Sequence, residues 1–176
     1  MVTILLCGSK KDAAFVDVLL PVLSAYGGVL HYNGDRISGV GDPRFFLCEC
    51  ERLPDSMLSS GLLLFKSSFC CPTKRRCLSG LIPILDTGNT NAAHYLKGTG
   101  VPAITIGMSS KDTVSLAGCT DTSAAVSLLR SVRTLGGNVI EPGDFKIQLH
   151  TPLPADQVLL FSTILLLSDE PPGYCL

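Results

Sequence analysis

The N-terminal segment passes from an apolar run into an amphipathic one. Val2–Cys7 is an apolar run that ends at Gly8, which is typical of a central strand in a parallel sheet. From Asp12 onward the apolar residues recur at helical spacing, and the pair Gly27-Gly28 ends the segment. The spaced apolar residues are Phe15, Val18, Leu19, Val22 and Leu23. The pattern therefore predicts a strand, a loop and a helix, in that order.

Similar alternation continues as far as Lys111. We predict strands in VLHYN, PRFFLCEC, GLLLFKSS, GLIPILDTG and VPAITIGMSS, and a helix in NTNAAHYLKGTG. GDRISGVGD is predicted as a loop, SMLSS as a short helical turn before GLLLFKSS, and CCPTKRRC as a compact basic loop. Strands that alternate with helices favour a mostly parallel α/β sheet flanked by helices, similar to the sheets of nucleotide-binding proteins.

The pattern changes after Lys111, where short β-rich segments are separated by Gly, Pro and Asp turns without helical crossovers. This spacing favours antiparallel pairing. ADQVLLFSTILLLSD is predicted to be a final, buried helix, and EPPGYCL a short tail. We therefore expect one α/β domain over residues 1–169, with a β-rich antiparallel C-terminal portion, and a tail over residues 170–176.

Composition narrows the classes of partner. The 176 residues carry a net charge of −1 and only 16% charged residues, which gives no electrostatic footprint for nucleic acid or an anionic membrane. No apolar run approaches the roughly 20 residues needed to span a bilayer. The eight cysteines are not preceded by a recognisable signal peptide, so we expect a cytoplasmic protein with reduced thiols.

The segment LLCGSKKDAAFVDVLL has the layout of a phosphate-binding loop, with a strand, a glycine and a helix start. Three later segments also carry polar turns in a definite order: FFLCECERLP, LDTGNTNAAHYLKG and ITIGMSSKDTVSLAG. In this order, from Val2 to Asp169, the chain resembles the central ATP-binding domain of the Mur ligases, which form amide bonds in bacterial cell-wall precursors, and of the related folylpolyglutamate synthase.

The resemblance implies a set of site residues. The segments similar to the family's Gly-Thr-x-Gly-Lys-Thr loop and Asn-x-Asp-Asp turn imply nucleotide-binding positions, and the strand that ends in a glutamate implies a metal ligand at Glu49. The implied nucleotide-binding residues are Gly8, Ser9, Lys10, Lys11, Asp86 and Asn89.

The chain departs from the family at the residues that hold phosphate. Aligned without a gap, Asp12 replaces the phosphate-binding lysine and Ala13 replaces the magnesium-binding hydroxyl. At about 4 Å and an effective dielectric near 20, a carboxylate repels a phosphate charge by roughly 4 kcal/mol, where a lysine would attract it by a similar amount. A one-residue gap would restore Lys11 as the phosphate lysine but places Asp12 at the hydroxyl position.

Two functional hypotheses follow. The first is a stand-alone, non-catalytic Mur-ligase-like protein that binds a protein partner or small ligand as a regulator or scaffold of bacterial cell-envelope processes, without a cofactor or catalytic residues. The alternative is a nucleotide-dependent enzyme, or one subunit of a split ligase, that uses ATP and magnesium through Lys10, Lys11 and Glu49.

Other motifs carry weaker alternatives. Cys48 and Cys50, together with the CCPTKRRC cysteines, could form a zinc cluster, but their spacing fits buried small residues better. LDTG matches the short aspartic-protease signature, although its setting favours Asp86 as a helix N-cap or as part of the family's turn.

Three further features concern surfaces and histidines. KRRC predicts a solvated basic patch, with an acidic partner or a phosphate as the alternative. SLLRSVRTL is our candidate for self-association into a homodimer, through an exposed sheet edge or another partner surface. His31, His94 and His150 show no spacing that indicates a site.

Overall fold

The computed structural model describes residues 1–39 and 42–170. The VG pair of the predicted loop, at residues 40–41, and the tail residues 171–176 lie outside this range. Contacts group the chain into two compact units, which are described separately. The first contains Met1–Leu85 and Asn89–Ala103, and the second contains Asp86–Gly88 and the chain from Ile104 onward. The single domain over residues 1–169 stays a prediction.

The first unit is a largely parallel sheet with helices. Its elements are β1 (Val2–Cys7), α1 (Ala14–Ala25), β2 (Val29–Tyr32), β3 (Ile37–Ser38), β4 (Phe45–Cys50), β5 (Ser56–Phe65), β6 (Leu78–Asp86, whose last residue belongs to the second unit) and α2 (Thr90–Lys97). The strand order is β6-β5-β1-β4-β2-β3. β3 pairs antiparallel with β2, whereas β1 with β4 and β5, β2 with β4, and β5 with β6 pair parallel.

β1 is a central strand that pairs with β4 on one edge and with β5 on the other. Residues on both of its faces are buried. Leu5 and Cys7 face one side, where they join a core that includes Tyr95 and Leu96 of α2. Ile4 and Leu6 point to the opposite side by strand alternation and are fully buried. α1 contributes its own buried stripe of Val16, Leu19 and Leu23. This burial explains why the first strand reads as an apolar run.

Two local predictions are wrong. SMLSS is not a helical turn, because β5 begins at Ser56, which pairs with Leu78 of β6, and the register shifts between Met57 and Gly61. GDRISGVGD is not entirely a loop, because Ile37–Ser38 form the short strand β3 against β2. In both cases pairing with a neighbouring strand overrides the polar and turn-forming local sequence.

The second unit is β-rich and ends in a helix. It contains β7 (Ile104–Gly107), β8 (Val114–Cys119), β9 (Ser123–Leu128), β10 (Val132–Arg133), β11 (Val139–Ile140), β12 (Gly143–Gln148) and α3 (Ala155–Leu167). The order β12-β9-β8-β7 combines antiparallel β12–β9 and β9–β8 pairs with a parallel β8–β7 pair, and β10 and β11 form a small antiparallel sheet.

α3 is buried almost all round against β7, β8 and β9, as expected for a uniformly apolar helix. The predicted α/β class, the antiparallel C-terminal portion and the final helix are confirmed. In SLLRSVRTL, Ser127 and Leu128 end β9, which lies between β8 and β12, whereas Val132–Arg133 form β10, which pairs with β11 in the small two-stranded sheet. Self-association through this segment stays a prediction. Arg130 in that segment donates to the carbonyl of Asp112.

Candidate functional site

The loop after β1 directs its backbone donors into the protein. A phosphate loop works by leaving such N–H groups available for an anion. Here each N–H from Gly8 to Asp12 donates within the chain. The acceptors in order are Cys50 O at 3.0 Å, Ser68 Oγ at 3.0 Å, Glu51 Oε1 at 3.2 Å, Ser9 Oγ at 3.3 Å and Ser9 O at 3.0 Å. The loop is therefore closed by its own contacts.

Lys66, the first residue after β5, supplies a positive charge under this loop. Its side chain is fully buried, and its Nζ donates to Asp12 O at 2.7 Å and to Ser9 O at 3.2 Å. The stem of Lys66 lies so close to Gly8 that a Cβ at Gly8 would be 2.5 Å from Lys66 Cβ. Gly8, with φ of +153°, is therefore required both by its backbone conformation and by the lysine beside it.

Glu49 balances the charge of Lys66. Its Oε2 lies 2.6 Å from Lys66 Nζ, and its Oε1 lies 2.8 Å from His31 Nε2. Glu49 is only 8% exposed, so both oxygens are held in a nearly dry setting. The carboxylate predicted as a metal ligand is thus engaged by two protein nitrogens. Within residues 1–39 and 42–170, no group of three or more His, Cys, Asp or Glu side chains is placed to hold a metal ion.

Asp12 occupies an anion-binding environment built by the segment after β5. Its Oδ2 accepts hydrogen bonds from Ser68 Oγ at 2.7 Å, Ser67 Oγ at 3.1 Å and Ser68 N at 3.3 Å. Burial raises the pKa of Asp12, but the hydrogen bonds from Ser68 and Ser67 and the charge of Lys66 lower it by more, so the net pKa is below its ordinary value. Hydroxyl and N–H donors that could face a phosphate instead face this carboxylate.

The predicted phosphate lysines point elsewhere or lie at the surface. Lys10 Nζ lies 3.2 Å from the carboxylate of Asp35, and its backbone N–H faces Glu51. Lys11 is exposed at the start of α1. α1 begins after Ala13, which makes no side-chain capping hydrogen bond.

The two residues of the predicted adenosine-side turn have separate local roles. Asn89 is the N-cap of α2, since its Oδ1 accepts from Ala92 N at 3.1 Å, and its Nδ2 donates to Lys66 O at 3.0 Å. Asp86 lies at the end of β6 and accepts from Gly88 N at 2.9 Å. The prediction that Asp86 caps the helix is wrong, because the N-cap of α2 is Asn89, which accepts the hydrogen bond from Ala92 N.

Two thiols meet on the face of the sheet opposite Glu49. Cys7 and Cys50 are register partners on β1 and β4, and their Sγ atoms are 2.6 Å apart. The hydrogen bond from Cys7 lowers the pKa of Cys50, and the charge of Lys66 adds to this effect against the opposing effect of burial. The same pairing, together with burial, raises the pKa of Cys7.

Lys66 and His31 were not predicted as site residues. A signal for Lys66 exists in the sequence, because a lysine directly follows the apolar run GLLLF and is followed by two serines. A lysine at the carboxyl end of a buried strand needs a partner, and Glu49 at the corresponding end of another strand is the natural candidate. His31 offers no comparable local signal.

Comparison of the chain with protein-family models and with curated proteins gives no match. In the described part of the chain, no helix is both long enough and apolar enough to cross a bilayer.

Proposed function

We propose that this protein is a Mur-ligase-like domain that acts by binding rather than by nucleotide hydrolysis, as a regulator or scaffold of bacterial cell-envelope processes. The order of motifs along the sequence supports the family, and the closed loop supports the loss of hydrolysis. The observation that carries the proposal is Lys66 Nζ, which binds the Ser9 and Asp12 carbonyls and neutralises Glu49.

A phosphate that entered this loop would have to displace hydrogen bonds that the loop already makes within the protein. Each backbone hydrogen bond of the loop contributes about 0.5–1.5 kcal/mol, and an entering phosphate must replace several of them at once. It must also approach Asp12, whose charge is stabilised by Ser67 and Ser68. At about 4 Å and an effective dielectric near 20, that approach costs roughly 4 kcal/mol per pair of charges. Lys66 offers little compensation, because its side chain is fully buried and its Nζ already binds Glu49 and the carbonyls of Ser9 and Asp12.

Thermal unfolding in the presence of nucleotides tests this proposal. A ligand at 100 times its dissociation constant stabilises a folded protein by about 2.7 kcal/mol, which is a readily measured shift. We expect no shift with ATP or ADP, with or without magnesium. A magnesium-dependent ATP shift that is lost in Lys11→Ala would overturn the proposal.

The alternative is a nucleotide-dependent enzyme or split-ligase subunit with a modified site. One observation favours it: Lys11 is exposed at the start of α1, whose Ala13 N-cap provides no side-chain acceptor. A helix N-terminus of this kind attracts anions. The Lys11→Ala comparison separates the two functions, because only the alternative requires this lysine for a nucleotide-induced shift.

A further inference from the structure

A pocket of about 550 Å³ lies between two connecting segments of the first unit. One wall is Glu51–Leu53, which directly follows β4, and the other is the loop from Cys70 to Arg76, which joins β5 to β6. The volume is within the usual range of roughly 300–1,000 Å³ for small-molecule sites. The size of the pocket therefore fits a small ligand.

The pocket is positively charged. Arg52, Lys74 and Arg76 line it with Glu51, and Arg76 also pairs with Asp55, so three cationic and two anionic side chains leave one net positive charge. Glu51 is also turned partly toward the neighbouring loop, where its Oε1 accepts from Lys10 N at 3.2 Å. The lining thus favours an anion.

Arg76 has a donor without a partner. Its Nη1 lies 3.1 Å from Asp55 Oδ2, whereas its Nε is buried and has no hydrogen-bond partner among the described residues. The Arg76 side chain as a whole is 33% exposed, so an anion in the pocket would contact its exposed part rather than Nε. Guanidinium groups match phosphate oxygens well because their N–H donors form a planar fork.

The loop that carries Arg76 is held in place by its surroundings. Arg76 N donates to Tyr95 OH at 3.2 Å, and Cys77 N donates to Asp55 Oδ1 at 2.8 Å. Phe69 at the start of the loop packs edge-on against Tyr95 with ring centroids 6.0 Å apart. A pocket held in this way loses little conformational freedom when a ligand binds.

We propose that this pocket binds a small molecule that carries a phosphate monoester. The negative charge of the ester complements the excess of cationic side chains in the lining, namely Arg52, Lys74 and Arg76. Leu53 and Pro72 also line the pocket and offer apolar contact to the organic part of the ligand. The proposal is independent of the closed loop after β1, because none of the lining residues belongs to that loop.

An NMR titration of the folded chain tests the proposal with two probes, phenyl phosphate and inorganic phosphate, at constant ionic strength. We expect saturable shifts of the Arg52 and Lys74 amides with both probes, and tighter binding of phenyl phosphate because only it carries an organic group. Lys74→Ala and Arg76→Lys should each weaken phenyl phosphate binding about tenfold or more. The same spectra report whether each variant is folded.

Arg75→Ala is the matched control, because Arg75 neighbours both residues in sequence but points elsewhere. A Cβ at Gly98 would lie 2.9 Å from Arg75 Nη2, so this guanidinium lies over the end of α2. We expect the control to weaken binding less than about twofold, as for a distant surface charge. Absence of saturable shifts in the wild type, or equal weakening by Arg75→Ala, would overturn the proposal.

Discussion

Lys66 Nζ and Glu49 Oε2 lie 2.6 Å apart with both side chains buried, at the carboxyl ends of two parallel strands that β1 separates. The pair joins the end of β4 to the segment after β5, beneath the loop that follows β1. The lysine also binds two carbonyls of that loop, so the pair holds the loop closed as well as balancing charge.

Removing the lysine should therefore be costly. Lys66→Met leaves Glu49 buried with only His31, and breaking one side of a buried ion pair costs about 3–5 kcal/mol of unfolding free energy. Urea denaturation measures this loss. Lys10→Met is the control, because it breaks the exposed pair with Asp35 and should cost within about 1 kcal/mol. Equal losses in the two variants would contradict the role given to Lys66.

Asp12 should contribute stability that depends on pH. Its pKa is lowered on folding, so the contribution is present above the ordinary value of 3.8 and disappears as the pH falls through the lower folded value. Asp12→Asn should therefore cost about 1–2 kcal/mol near pH 7 and progressively less in acid. Urea midpoints from about pH 7 to about pH 3 test this, with the exposed Asp121→Asn as control. A pH-independent difference would contradict it.

Gly8 should tolerate substitution poorly because the lysine stem lies against it. Gly8→Ala places a Cβ 2.5 Å from Lys66 Cβ, whereas Gly100, which also has positive φ, has open space around it. Overpacking of this kind costs about 1–3 kcal/mol, in addition to backbone strain that is greater at the φ of +153° of Gly8 than at the φ of +71° of Gly100. Chemical denaturation of Gly8→Ala and Gly100→Ala measures the difference. Similar losses in both would show that Lys66 does not pack against the loop.

The cysteines of β4 should ionise in a definite order. The pKa of Cys50 is lowered by the hydrogen bond from Cys7, whereas burial and the charges of Cys50 and Glu49 raise the pKa of Cys48. Because the thiolate is the reactive form, alkylation of Cys50 should rise at a lower pH than that of Cys48. Mass spectrometry of iodoacetamide-treated protein gives both profiles. In Cys7→Ala the Cys50 profile should move to higher pH, and an unchanged profile would contradict the assignment.

Much of the fold could be predicted because the signals are local. The apolar run of β1, the glycine-bounded helix α2 and the apolar α3 each carry their own pattern, and the structure confirms them. SMLSS was misassigned because Ser56 is held in a strand by Leu78, more than twenty residues later.

The site was harder to predict than the fold, for a related reason. Asp12 and Ala13 differ, in the sequence alone, from the lysine and hydroxyl that the resemblance implies at these positions. The positive charge beneath the loop comes from Lys66, and its partner from Glu49, across a sheet order that the sequence does not determine. Local motif comparison detects where a loop differs from a motif, but only the packed structure identifies the residues that contact the loop.

The loop from Gly8 to Asp12 is closed to phosphate by the protein's own groups. An NMR titration with ATP and magnesium that follows the backbone amides of this loop tests this closure most directly. We predict that these amides do not shift up to about 1 mM ATP, the upper end of ordinary substrate affinities. Saturable shifts of the Gly8–Asp12 amides that require magnesium would contradict the account.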